Sequence, residues 1–369
     1  MSEKSDRIIE NAVNAWLADD IKINEVLVNY HRNTLKKVFV IVLCLTLAVI
    51  VAGFAITIGD LHVGFFNSYG VILAHLTGDV TDDNADYIIW EWRLPRVLTG
   101  LIAGAGLGIA GAVMQCILRN PLADPYTTGI SSGASLGASI AIGLGVSFVS
   151  GVYGTVITAF VFSLIPMAII MAVSKMKGAT PTTMIMAGIA VMYIFNACTM
   201  MIKLWVDPDK LEEIYRWSVG TIDGAKWDQV YVMFIVVFAG YVAVQLLSRR
   251  LNVLSTGDES SRSIGVNANQ LRLLCMFIVS LLTAGVVSFT GLIGFIGLVS
   301  PHIVRLVIGS DNRFLIPASG AFGAALLILS DTVGRTLIEG TVIQVGVITA
   351  FIGGPMFLYL IIRQKKEEI

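Results

Sequence analysis

Residues 93–137 read RLPRVLTGLIAGAGLGIAGAVMQCILRNPLADPYTTGISSGASLG. Two glycine series lie within them, Gly100-Gly104-Gly108 and Gly129-Gly133-Gly137, each stepping by four residues. That step puts the glycines on one helix face, where a second backbone can approach closely. Helices associate this way in lipid, which offers no hydrophobic drive between them. Between the two series, Arg119-Asn120-Pro121-Leu122-Ala123-Asp124-Pro125 is polar and carries two prolines, so neither helix continues through it. The reading is of two close-packed membrane helices joined by a rigid polar elbow, the layout of a transport pore.

Composition points the same way. Hydrophobic residues make up 56% of the 369 and charged residues 14%, with a mean hydropathy of +0.80; a soluble domain carries about a quarter charged residues. A net charge of −1 argues against nucleic acid as a partner. Cys44, Cys116, Cys198 and Cys275 lie in apolar runs without C-x-x-C spacing and read as packing residues. The first 35 residues are polar and free of glycine. Within them Ile9, Val13, Trp16 and Leu17, then Ile23, Val26, Leu27 and Tyr30, fall at helical spacing. Residues 1–36 therefore read as a cytoplasmic segment, either an amphipathic helix on the membrane surface or a loosely ordered tail. The apolar run from Val38 to Ile58 is long enough to cross and has no early cleavage site, so no cleavable signal is expected.

Apolar runs near the length that crosses a bilayer divide residues 37–369 into ten spans. They are 37–58, 94–117, 126–147, 152–173, 183–206, 228–248, 270–289, 292–308, 314–334 and 343–362. The fold class is an all-α membrane protein of about ten transmembrane helices. With the N-terminus inside, 18 of the 25 Lys and Arg fall inside; outside lie only Arg93, Arg96, Lys203, Lys210, Arg216, Lys226 and Arg335. That bias is the one basic loops show when they stay cytoplasmic, so both termini are expected there. The eighth span is short and reads as interrupted by Gly291, Gly294, Gly297 and Pro301; broken helices in transporters line cavities. Two connections are long. Residues 59–92 read as an external loop carrying Asp60, Asp79, Asp82, Asp83, Asp86 and Glu91. Residues 249–269 lie inside, where Ser255-Thr256-Gly257-Asp258-Glu259 reads as a helix start and Gly265 as its stop. A short exposed helix there suits docking better than lining a pore.

Several chemistries are missing from the sequence. It has no G-x-x-x-x-G-K-[ST] to cradle nucleotide phosphates and no G-x-S-x-G nucleophile motif. His31, His62, His75 and His302 make no metal-ligand spacing with each other, a Cys or an acid. No catalytic residue, resident metal or cofactor is expected. Asp331 is the one acid placed inside a span, and Arg335 follows it by four residues on the same face, so the two read as an ion pair. The energy source is expected in another polypeptide.

The chain resembles the permease subunits of ABC importers for ferric siderophores, haem and vitamin B12, the FecCD-type permeases, over about residues 37–362. The resemblance is carried by Arg93-Leu94-Pro95-Arg96, Gly111-Ala112-Val113-Met114-Gln115, Arg119 to Pro125, Gly133-Ala134 and Trp217-Ser218-Val219-Gly220. It continues through Gly257-Asp258-Glu259 with Ile264-Gly265-Val266, Gly294 to His302, Asp331-Thr332 with Arg335, and Gly353-Gly354-Pro355. It implies the type II importer permease fold, a second permease subunit (a homodimer or a paired heterodimer), two cytoplasmic ATPase subunits and an extracytoplasmic binding protein. The implied cargo is an iron chelate, with cobalamin or haem as the alternative; a secondary transporter working alone is the rival from another class. The chain departs from the family at Thr128, and at Val342 and Gln344, where an acid and a proline are usual. Glu339 lies nearby but out of register.

Three sets of residues follow from the pattern and the resemblance together. Gly257, Asp258, Glu259, Ile264, Gly265 and Val266 are expected to form the helix on which the ATPase docks. Asn120, Pro121 and Leu122 are expected to narrow the cytoplasmic exit, with Thr182 and Thr183 beside them; the alternative is a structural turn. Arg93, Arg96 and Arg335, at the outer membrane boundary, are expected to grip carboxylates of the binding protein. Their alternative is as snorkelling anchors, with Asp331 neutralising Arg335.

Overall fold

The structure is a computed structural model describing residues 2–59, 63–151, 153–338 and 340–364, with side chains left out for residues 2–29, 360, 361, 363 and 364. Asp60, His62 and Glu339 lie outside the described residues. The amphipathic reading of residues 1–36 rests largely on side chains outside them.

The chain is helical almost throughout. In order come α1 (Ser2–Thr57), α2 (Phe65–Thr77), α3 (Asp83–Asp86), a π-helical turn (Tyr87–Arg93) and α4 (Leu94–Ile117). A 3₁₀ turn (Pro125–Thr128) precedes α5 (Ile130–Leu144), α6 (Gly154–Lys177), α7 (Pro181–Trp205) and α8 (Pro208–Val219). Then follow α9 (Trp227–Ser255), α10 (Asp258–Ser263), α11 (Ala268–Thr290), α12 (Ile296–Ile308), α13 (Asn312–Thr336) and α14 (Val345–Gln364). Among the described residues seven helices are long and apolar enough to cross a membrane, and three shorter apolar helices, α5, α12 and the start of α14, complete the set. These ten follow the ten spans read from the sequence.

α4 is the most buried of the long helices, and its glycines explain why. A Cβ at Gly104 would stand 2.4 Å from the Gly323 carbonyl oxygen, and one at Gly108 2.3 Å from that of Ser319. α13 therefore runs backbone to backbone against α4. One turn on, a Cβ at Gly111 would collide with the Gly297 carbonyl of α12. The second series seats a different partner: Gly133 and Gly137 face the carbonyls of Phe162 and Thr158 on α6. The glycine faces of α4 and α5 thus open onto separate neighbours rather than onto each other. Gly129 does not belong to the α5 face. It closes the 3₁₀ turn at φ +84°, a left-handed conformation that glycine adopts without a steric penalty.

Other expectations need correction. Connection 59–92 is built of α2, α3 and the π-helical turn that leads directly into α4. Asp82 caps α3 by accepting from the Asn84 and Ala85 amides. The eighth span breaks only over residues 291–295: Gly297 and Pro301 both lie inside α12, and Gly297 is the close contact to α4. The freed backbone is met by protein, with the Ile293 amide donating to the Tyr126 hydroxyl and the Thr221 amide to the Thr290 carbonyl. α8 was not anticipated, although Pro208 just inside its start and Gly220 just past its end are ordinary boundary signals. The last helix starts at Val345 despite Val342 and Gln344. Cys198 is exposed on α7, while Cys44, Cys116 and Cys275 are buried.

Candidate functional site

At the outer end, the end of the bundle that the bias of basic residues assigns to the outside, the three arginines converge on two groups. Arg93, only 7% exposed, donates Nη1 to the carbonyls of Ile56 (3.1 Å) and Thr57 (3.3 Å), the last of α1. Arg335 donates to the carbonyls of Ile58 (2.7 Å) and Ala55 (3.1 Å). A helix leaves its final carbonyls unpaired and partly negative, so two guanidinium groups answer α1 in hydrogen bonding and in charge. Asp331, 2% exposed, sits between Arg335 Nε at 3.0 Å and Arg96 Nη2 at 2.9 Å. The Asp331–Arg335 pair was legible at spacing four; Arg96, far away in sequence, was not. Arg96 reaches outward: its Nη1 lies 2.6 Å from Asp223, whose side chain is 62% exposed. Nearby, His75 Nδ1 bonds Asp86 at 2.8 Å and its ring stacks on Trp90 at 3.8 Å.

At the opposite, inner end, which the same bias assigns to the inside, the elbow is held by its own polar groups. Asn120 Oδ1 accepts from the Leu122 amide (2.9 Å) and Asp124 Oδ1 from the Tyr126 amide (3.0 Å), the local bonding by which Asn and Asp build turns. Arg119 enters it at φ +48°. Pro121 and Leu122 are exposed and Asn120 is half-buried. Thr182 is exposed; Thr183 bonds Thr180, which caps α7. A Cβ at Gly188 of α7 would meet Thr128 Cα at 3.0 Å, so the 3₁₀ turn rests on that helix.

α10 lies beside the elbow. Gly257 precedes it at φ +131° and Gly265 follows it at φ +87°, while Glu259 and Ile264 point to solvent. Val266 packs partly against the inner apolar core. Asp258, its first residue, takes a two-pronged bond from Arg272 (2.6 and 2.8 Å) and a further one from Arg119. The Arg272 bonds hold the Asp258 carboxyl below the usual carboxylate range, against the opposing pull of burial, with Arg119 adding to the depression. Sequence analysis counts Arg272 only among the inner basic residues, at the start of the seventh span, 270–289. Its burial depends on α4, α7 and α10 closing over it, and no local pattern signals that.

A cavity of about 530 Å³ opens along α14, lined among others by Val219, Leu292, Val347, Ala350 and Phe351. The broken segment 291–295 thus borders it, as expected of an interrupted helix.

The profile of the FecCD transport family matches residues 40–363, nearly all of the helical bundle. The chain belongs to that family. The permease is 40% identical over 280 residues to a cobalamin import system permease of Halobacterium salinarum, covering 76% of this chain and 74% of that one. It is 33% identical over 339 residues to an Fe(3+)-citrate import system permease of Bacillus subtilis, covering 91% and 98% respectively. Among solved structures, a metal-chelate type ABC transporter in an inward-facing conformation superposes with a TM-score of 0.77 at 30% identity, over 88% of this chain and 98% of that one. The permease is a multi-pass membrane protein with the ABC importer permease fold.

Proposed function

We propose that this permease carries a ferric chelate, a ferric siderophore being the expected cargo, as the membrane part of an ATP-driven importer. One observation carries the ATP-driven reading. Among the described residues Asp331 is the one acid buried within a membrane-spanning helix, and Arg96 and Arg335 hold it. A carboxylate so paired is not available to bind and release a coupling ion. With no phosphate-binding loop in the chain, the energy enters from outside: two cytoplasmic ATPase subunits docking on α10 and its flanks, Gly257 to Val266. Asn120, Pro121 and Leu122, with Thr182 and Thr183, form the inner constriction. A second copy of the permease closes the cavity along α14, since a path for a polar chelate cannot lie open to lipid. The binding protein docks at the outer end through the arginine cluster, with Arg96 its reachable member. Both termini are cytoplasmic, in keeping with the basic bias of the inner loops.

The ferric cargo is supported by the Fe(3+)-citrate relative, which this chain matches over almost its whole length. The cobalamin relative favours a second reading, corrinoid import. The test is uptake into proteoliposomes holding the permease with its ATPase subunits and binding protein. ATP-dependent entry of radiolabelled ferric citrate is expected. ATP-dependent entry of cyanocobalamin instead would move the assignment to corrinoids. Entry of either without the ATPase subunits would show a transporter that works alone.

A further inference from the structure

Arg272 is fully buried, and its donors divide among three separate segments. Nε bonds the Ile117 carbonyl at 3.0 Å, the end of α4. Nη1 bonds the Ala179 carbonyl at 3.3 Å, in the turn that enters α7. Nη1 and Nη2 together grip both oxygens of Asp258 at the start of α10. Arg119, one residue before Asn120, runs alongside, joining Asp258 to the Leu254 carbonyl of α9.

Burying a guanidinium is costly, and an apolar side chain of similar volume often stabilises a core as well or better. The planar fork instead supplies a fixed geometry between its partners. Here those partners are a short surface helix and the two segments that lead into the candidate constriction, residues 120–122 and 182–183. We infer that Arg272 is the linkage through which displacement of α10 reaches the inner ends of α4 and α7. It is a positioning residue and touches neither cargo nor ATPase. The inference rests on the reading of α10 as the ATPase-docking helix.

The test uses the permease co-expressed with its ATPase subunit, in nanodiscs. Cys198→Ser removes the one exposed cysteine, and Leu122→Cys reports the constriction by crosslinking between the two permease copies. In this parent, crosslink yield is expected to differ between the nucleotide-free and the ATP–vanadate states. Arg272→Lys keeps the charge but loses the fork. It is expected to shrink that difference about tenfold, within the range of allosteric couplings, while the ATPase subunit still copurifies. The double variant Arg272→Lys with Asp258→Glu lengthens the acid to meet the shorter base and is expected to restore much of the response. Asp258→Asn breaks the same pair from its half-buried side, so the test does not depend on how Arg272 variants fold. An undiminished response in Asp258→Asn with the ATPase bound overturns the linkage alone. Loss of the ATPase subunit from that variant also overturns it, because the pair would then belong to the docking surface. A parent that binds no ATPase brings down the docking reading itself, and the linkage with it.

Discussion

The two ends of this permease each gather arginines around an aspartate, and they use them in opposite ways. At the outer end Arg93 and Arg335 bond carbonyls at and just beyond the end of α1, and Asp331 is sealed between Arg335 and Arg96 at 2% exposure. Asp331 and the carbonyls of Ala55, Ile56 and Thr57 sit on two long helices, α13 and α1, that pack against each other. At the inner end Asp258 belongs to a six-residue helix flanked by two glycines at positive φ and is 31% exposed, although Arg272 beside it is fully buried. The outer cluster fastens the ends of α1, α4 and α13 to one another. The inner one ties a small surface helix to the bundle, as a moving part has to be tied. Similar chemistry gives a rivet in one place and a joint in the other, according to what the aspartate is built on.

The sharpest way to break this contrast is to remove one arginine from each end. Arg335→Ala strands the carbonyls of Ala55 and Ile58 and half the pairing of a buried carboxylate, and truncating one partner of a buried pair typically costs about 3–5 kcal/mol. Arg119→Ala removes a pair in which both side chains are about one-third exposed, where about 0–1 kcal/mol is typical. Thermal and denaturant unfolding in detergent should therefore show a large loss for the first and little for the second. Equal losses would mean that the inner cluster is as much a structural rivet as the outer one.

How far the sequence foretold these ends depends on separation along the chain. The ten spans, the elbow and the α10 boundaries were legible because hydropathy, proline and glycine act locally. So was the Asp331–Arg335 pair, four residues apart on one helix. Arg96 against Asp331 and Arg272 against Asp258 were not, since each pair exists only once distant helices have packed. The glycine series revealed close approach but not the partners, because Gly104 and Gly133 look alike in sequence and rest on α13 and α6. Gly129 was misplaced on a helix face because a four-residue step does not show that the helix begins one residue later.

The elbow offers a gentler probe of the inner end, through pH. Asp124 lies between α4 and α5, and burial pushes its carboxyl up to about 6, with the Tyr126 amide pulling the other way. A native pKa above the ordinary 3.8 means that the folded state binds more protons than the unfolded one between these values. Stability from this group is therefore fullest below about pH 4 and falls as pH rises toward about 6, by roughly 3 kcal/mol in all. Asp124→Asn keeps the capping oxygen but not the titration, so its unfolding free energy should vary less over pH 4–6 than that of the parent. If the two profiles run parallel, the elbow carboxyl is hydrated and the inner end is looser than its packing suggests.

The smallest expected effect tests whether the outer rivet also has a reachable edge. Asp223 is mostly exposed and bonds only the outward Nη1 of Arg96, whose other nitrogens stay on Asp331. Asp223→Ala should therefore change stability by no more than about 1 kcal/mol, as exposed pairs do. It would also release one guanidinium edge toward the outer solution. If Arg96 grips a carboxylate of the binding protein, that acid must compete with Asp223, and removing the competitor should tighten docking, most clearly at low salt where surface charges are least screened. Arg96→Lys, which keeps the charge but gives up the two-edged geometry, should weaken docking instead. Binding-protein affinity measured on nanodisc-embedded permease at two salt concentrations decides between the roles. Tightening in the first variant with weakening in the second marks Arg96 as part of the docking surface. No change in either leaves Arg96 as a fastening of Asp331, and docking must then fall to other outer residues.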